Sequence, residues 1–317
     1  MTPTQNTTTR NGNTKTRNGN TTTATANSRK TTLRSPLGIL TTATATHGTG
    51  RDDDIPLPRL PGFVESAFSP LAYEAARQCL AERPDGGTSR SSGAESGGGS
   101  RTAVALASTA GDTTTADVAS RRMVSGRVHN PLLFMQATPN SVLGCLSREF
   151  GITGQMFSLS TLDDPVTELL SMADLLLEDP EVDRVLVVGV ELGGSERLTA
   201  VHEELADGHG HLAPALPASA GLAAAVLLGR PGTGAPVSIR SAEAYDNETE
   251  THSGTDVARR PGDIQSLFDL AAAHQRLLRE GGSHLLVTGS RAPAFLLTAD
   301  TEATTDARNE TETHAHQ

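Results

Sequence analysis

The stretch TGQMFSLSTLDDPVTELLSMADLL, Thr153 to Leu176, decides how the rest of the chain is read. Met156–Thr161 reads as a strand, and residues 162–165 as a turn. Val166–Glu178 reads as a helix with Leu169, Leu170, Ala173 and Leu176 on one apolar stripe. A strand that runs through a tight turn into a helix is a geometry that exposes a nucleophile at the helix N-terminus. Here the turn holds Leu162, Asp163, Asp164 and Pro165, and neither a cysteine nor a serine. The geometry of a reactive elbow is kept without its reactive group.

Working outward, alternating strands and helices surround this unit. Upstream, Leu37–Thr46 is a β-branched run after Pro36, and Thr102–Thr109 is an unbroken apolar strand of the kind covered on both faces. Between them, Ser69–Pro84 has a Ser before a Pro and apolar residues at helical spacing, so Ser69 is expected to cap a helix that Pro84 ends. Cys79 falls on the apolar side of that helix and reads as a small buried hydrophobe. Asn140 or Ser141 is expected to cap a further helix with Val142, Leu143, Leu146 and Phe150 on one face, stopped by Gly151. Downstream, Asp183–Leu192 is the strongest buried-strand signal. Ala220–Gly229 and Ala235–Tyr245 are expected to pair antiparallel across Arg-Pro-Gly-Thr-Gly. A helix over Ser266–Glu280 and a hairpin of His-Leu-Leu-Val-Thr-Gly with Ala-Phe-Leu-Leu-Thr-Ala close the chain. This alternation predicts a layered α/β sheet.

The ends and one internal stretch do not fit that pattern. Residues 1–33 are Thr- and Asn-rich, repeat Thr-Arg-Asn-Gly-Asn-Thr, and lack the apolar side chains that offset the entropy of ordering, so they are expected to be disordered. Residues 84–101, rich in Gly and Ser, read as a flexible loop, and 299–317 as a disordered acidic tail, which leaves 34–298 as the folded domain. The 317 residues carry a net charge of −11, 3% aromatics and no Trp, which argues against nucleic-acid binding by phosphate neutralisation or base stacking. Two cysteines, Cys79 and Cys145, build no disulfide framework, and no apolar run has the length of a membrane span, so a cytoplasmic protein is expected.

The order of these pieces resembles the β-ketoacyl synthases of the thiolase-like fold. Asn-Pro-Leu-Leu-Phe-Met-Gln-Ala-Thr-Pro-Asn (Asn130–Asn140) and the segment through Thr161 are similar to the family's Pro-Asn helix, Gly-containing turn and nucleophile strand. Leu169–Leu192 is similar to the helix and strand that follow, Leu216–Gly229 to the next strand, and His284–Ala299 to the closing hairpin. The resemblance implies an α/β thiolase-like α-β-α-β-α layered fold with a shortened C-terminal half.

The departures lie in the chemistry. The resemblance sets Asp163 at the position of the family's nucleophilic Cys, whose thiolate and backbone oxyanion donors carry acyl transfer. A carboxylate at a helix N-terminus is held as an anion and is a poor acyl acceptor. Two readings follow: Asp163 as a base or decarboxylation residue, or Asp163 or Asp164 as a helix cap, which is preferred. The family's two histidines have no clear counterparts. His252 precedes Ser253-Gly254-Thr255 in a polar stretch, His274 reads as a helix-surface residue, and His202, His209 and His211 form a solvated cluster without metal-ligand spacing. Arg291 to Ala294 stands where the family has a Gly-rich turn.

The resemblance therefore implies a non-catalytic subunit of the chain-length-factor kind found in type II polyketide synthases. Such a subunit pairs with an active ketosynthase and serves reactions on an acyl carrier protein. It uses no cofactor and no metal. Implied at the dimer interface are Met156, Phe157, Leu159 and Cys145. Implied at the partner's acyl tunnel are Leu133, Phe134, Met135 and Gln136. Arg121, Arg122 and Arg127 could meet an acidic carrier protein. Two alternatives stand beside this: a repurposed decarboxylase, isomerase or dehydratase of carrier-bound thioesters using Asp163, and a degenerate scaffold.

Overall fold

The computed structural model describes residues 32–81, 99–126, 132–161, 164–194, 219–242, 264–288 and 293–299, with isolated positions between 196 and 217. In chain order the elements are β1 (Leu37–His47), α1 (Phe68–Ala81), β2 (Thr102–Ser108), α2 (Thr113–Val124), α3 (Leu132–Gln136), α4 (Asn140–Phe150) and β3 (Met156–Ser160). There follow α5 (Pro165–Leu176), β4 (Arg184–Leu192), β5 (Gly221–Gly229), β6 (Val237–Ser241), α6 (Gln265–Glu280), β7 (Ser283–Val287) and β8 (Ala294–Ala299).

The strands make one mixed sheet in the order β3-β2-β4-β5-β1-β6-β8-β7. β2 lies between β3 and β4, parallel to both, and β5 runs antiparallel between β4 and β1. Continuous apolar runs explain why these strands sit inside. Every residue of β2 and β5, and all of β4 after Arg184, is buried, because helices cover both faces. Each fully buried Leu or Val of β4 contributes roughly 1.5–3 kcal/mol of transfer free energy.

The stripe of α5, read from Leu169, Leu170, Ala173 and Leu176, packs on one face of the sheet together with α6. The opposite face is covered by α1 and α4. α1 comes close because it presents Ala72, Ala75 and Ala76 to Ala223 and Ala225 of β5. α6 comes equally close to β4 at Gly189, where a Cβ would meet Leu267 Cδ1 at 2.3 Å. A bulge at Leu40 shifts β1 by one residue, so Leu37 and Ile39 face the α5–α6 side while Ala43 and Ala45 face α1.

Several expectations are corrected. β5 and β6 do not pair with each other, because β1 lies between them; β5 uses both its edges along its full length, and β6 bonds only Leu37–Ile39 of β1 and then β8. The C-terminal strands β6, β8 and β7 continue the mixed sheet beyond β1. The helix expected to be capped by Ser69 begins at Phe68, two residues before the Pro70 that such a cap would make its first residue: Ser66 Oγ accepts the Phe68 N–H at 3.2 Å, while Ser69 Oγ is buried without a partner among the described residues. Pro139 occupies the N-cap of α4 with no side-chain cap, in place of Asn140 or Ser141; Gly151 does end the helix, at φ 63°. Leu33, assigned by sequence to the tail, is buried and donates its N–H to Ser241 Oγ at 2.9 Å. The loop 84–101 and the tail 299–317 lie almost wholly outside the described residues; Arg101 anchors the loop's end to Asp183 at 2.5 Å.

Candidate functional site: the free sheet edge and the strand-to-helix turn

Among the described residues β3 ends the sheet, so one of its sides carries main-chain groups that no described strand uses. The bonding parity fixes which. Gln155 O accepts the Val104 N–H at 2.8 Å and the Thr161 N–H donates to Ser108 O at 3.3 Å. In a parallel ladder alternate residues face the same neighbour. Residues 155, 157, 159 and 161 therefore face β2, and Met156, Ser158 and Ser160 point their N–H and C=O groups outward. Phe157 and Leu159 pack on the α5–α6 core, and Met156 on the α1–α4 core, all half-buried. The edge has neither a charged residue nor a proline or bulge, the devices that normally blunt a free strand. Cys145 sits partly exposed on α4, the helix that flanks this edge.

At the C-terminal ends of β2, β3 and β4 the chain turns toward α2 and α5, the place where open α/β sheets build their sites. The carboxylates there are occupied by the fold. Asp164 is the N-cap of α5: its side chain accepts the Val166 N–H at 3.2 Å and the hydroxyls of Thr167 and Thr288. Asp112 is the buried N-cap of α2 and accepts from Thr115 N, Thr115 Oγ1 and Ser66 Oγ at 2.7–2.9 Å. Burial pushes its carboxyl upward, and those donors offset part of the rise. Glu191, buried at the end of β4, accepts the Ile264 N–H at 3.5 Å. Thr161 Oγ1 is buried without a hydrogen-bond partner among the described residues. The cap reading is met by Asp164; Asp163 lies outside the described residues, as do His202, His209, His211, His252, Arg127, Arg291 and Ala292.

His274 corrects its reading as a surface residue. It is 1% exposed on the inner face of α6, its Nδ1 is 3.0 Å from Thr42 Oγ1, and its Nε2 finds no partner. Burial holds its pKa down at about 4, and the Ile39 carbonyl offsets only a little of that. Cys79 is buried as expected, with Thr41 Oγ1 3.2 Å from its sulfur.

α3 separates the four expected tunnel residues. Leu133 is 4% exposed and anchors the helix in the chain's own fold, Gln136 is half-buried, and Phe134 and Met135 face outward. Sequence reasoning missed α2, whose start Thr-Thr-Thr-Ala carries no apolar stripe; Gly111-Asp112 before it was the available signal. Among the described residues no cluster of His, Cys, Asp and Glu could hold a metal ion, and no helix is long and apolar enough to cross a membrane.

The sheet and its helical covers define the class: an α/β protein of the thiolase-like fold. No protein-family profile and no curated protein sequence matches the chain. Solved structures match in fold. One, described as a ketosynthase (ApeO) in complex with its chain length factor (ApeC) from Xenorhabdus doucetiae, superposes with a TM-score of 0.51 at 16% identity, covering 84% of this chain and 100% of the other. Another, the AntDE:AntF complex of a type II polyketide synthase acyl-carrier protein with its hexaketide-bound ketosynthase, gives a TM-score of 0.54 at 14% identity with the same coverages. The chain therefore has the fold of ketosynthase assemblies.

Proposed function

We propose that this chain is a non-catalytic subunit of the chain-length-factor kind, which pairs with an active ketosynthase acting on substrates held by an acyl carrier protein. The observation that carries the reading is the combination at β3. An apolar, uncharged sheet edge leads directly into a turn whose described carboxylate, Asp164, is spent on capping α5. A thioester-forming site needs a thiolate or alkoxide with a base at hydrogen-bond reach. Asp164 already accepts three hydrogen bonds within the fold, a structural duty. The solved complexes of the same fold, one of a ketosynthase with its chain length factor and one of a ketosynthase with its carrier protein, support both partners.

In this reading Met156, Ser158 and Ser160 extend the sheet into the partner by main-chain hydrogen bonds, and Phe157, Leu159 and α4 with Cys145 continue the core across the junction. Phe134 and Met135 supply bulk at the partner's acyl tunnel, with Leu133 and Gln136 holding α3 in place. The subunit sets product length by filling space, and the partner performs the condensation.

Co-expression with an active ketosynthase of a type II polyketide synthase tests the reading. A heterodimer on size exclusion is expected, and Phe134→Ala with Met135→Ala should shift products toward longer chains while the heterodimer persists. A chain that elutes alone and leaves product lengths unchanged overturns it.

A further inference from the structure

A β-edge of five residues spans about 17 Å. That is too little for a stable complex, which buries roughly 800 Å² on each partner. The pairing read at β3 needs a second contact area, and the exposed apolar side chains show where it lies. Val64, Met123, Val124, Leu132, Phe134 and Met135 form one group, with Val64 at 83% and Val124 at 90% exposure. Three contacts make the group continuous. α2 and α3 touch, Gly62 lies against the Gln136 side chain, and Arg122 Nη2 binds Glu65 Oε1 at 2.9 Å, which ties the end of α2 to the segment carrying Val64. Exposed β-branched and thioether side chains gathered in one place are unusual on a solitary surface.

We infer that this platform is a second docking surface for the same ketosynthase subunit that β3 pairs with, an inference that rests on the function proposed above. Continuity favours that occupant: α3 packs on α4 and α4 packs on β3, so the platform follows from the edge on the α4 side without a break. On the α5–α6 side the exposed large hydrophobics of the two helices are Leu175 on α5 and Leu278 on α6, one on each. The rim supplies the chemistry of the counter-surface. Arg121 and Arg122 stand in the last turn of α2, and the neighbouring carboxylate Glu65 is ion-paired to Arg122. In a chain of net charge −11 this is a locally basic border. The partner is matched by an apolar projection flanked by Asp or Glu. Unlike Phe134 and Met135, Val64, Met123 and Val124 have no part in the tunnel, so they act on affinity and not on product length.

The test compares full-length variants for binding to an active type II ketosynthase that co-purifies with the wild-type chain, with circular dichroism as the control for folding. Met123→Glu with Val124→Glu on α2, and Val64→Glu on the separate segment, place a carboxylate in the apolar centre, and each should weaken the complex on the order of tenfold or more. Val64→Glu decides the matter if the α2 variant fails to fold. Binding equal to wild type in the folded variants, with binding lost in Ser158→Pro, overturns the platform and leaves the β3 pairing intact. Wild-type chain that binds no ketosynthase overturns both. Variants that lose only self-association, or only capture of the acyl carrier protein, assign the platform to another occupant and overturn the inference.

Discussion

The sheet has two free ends, β3 and β7, and they are built differently. Both are five residues long and pair with one neighbour. In β7 the Ala299 N–H bonds Gly282 O at 2.9 Å, so antiparallel parity turns Ser283, Leu285 and Val287 outward, as Met156, Ser158 and Ser160 are turned in β3. Behind β3 lie helical layers on both faces of the sheet. Behind β7, among the described residues, α6 alone packs, through Leu286, while Ser283 and Val287 on the other face are exposed. β7 also carries a cation at its flank, Arg276 bonded to His284, and burial, with that charge adding to it, lowers the His284 pKa. β3 has no charge at all. A strand docking on β3 would extend a sheet already covered on two sides, whereas one docking on β7 would meet a guanidinium and a half-covered sheet. Two edges of equal length are thus unequal in what they can recruit.

Proline scanning should break this symmetry most sharply. Ser158→Pro removes an outward N–H from β3 without touching the ladder to β2, so the fold should survive while ketosynthase binding falls by about a hundredfold or more. Leu285→Pro makes the equivalent change in β7 and should leave binding unaltered; equal losses from both variants would show that the edges are not distinguished. Both effects are read by co-purification and titration.

Acid should separate the two ends through stability. His274 on α6 has its pKa held at about 4 in the folded chain against 6.5 for an ordinary histidine. The unfolded chain therefore takes up the proton first, so this stability is intact above pH 6.5 and is lost as pH falls toward 4. The difference amounts to roughly 3 kcal/mol. Chemical denaturation across pH 7 to 4 should show the decline, flattened in His274→Gln, and α6, β7 and β8 should open before β2, β3 and β4. A slope unchanged by the substitution would remove His274 from the account.

The smallest effect concerns the turn. Asp164→Ala should cost about 1 kcal/mol as a lost N-cap and leave the heterodimer's product formation unchanged. Loss of turnover with stability intact would give the carboxylate a chemical role.

The sequence was legible where one segment suffices to decide. Asp183–Leu192, Thr102–Thr109 and the α5 stripe announce buried strands and a covering helix by their own pattern, and Pro165 after two aspartates announces a capped helix start. Pairing was less legible, since the placement of β1 between β5 and β6 depends on contacts some 190 residues apart in sequence, such as Gly38 with Gly229. α2 escaped because a Thr-rich start owes its helicity to the Asp112 cap. His274 was misread because residue type says polar, while its position on α6 places it over the Leu40 bulge, where Thr42 receives it. The outward parity of Met156, Ser158 and Ser160, on which the functional reading turns, becomes visible only once β3 is known to lie at the end of the sheet.

Amide hydrogen exchange at β3, with and without an active type II ketosynthase, tests the central claim most directly. The account predicts that the amides of Met156, Ser158 and Ser160 exchange readily in the isolated chain and become strongly protected in the complex, while Ser283, Leu285 and Val287 of β7 do not change. Protection that appears at β7, or exchange at Ser158 that the partner leaves unaltered, would contradict it.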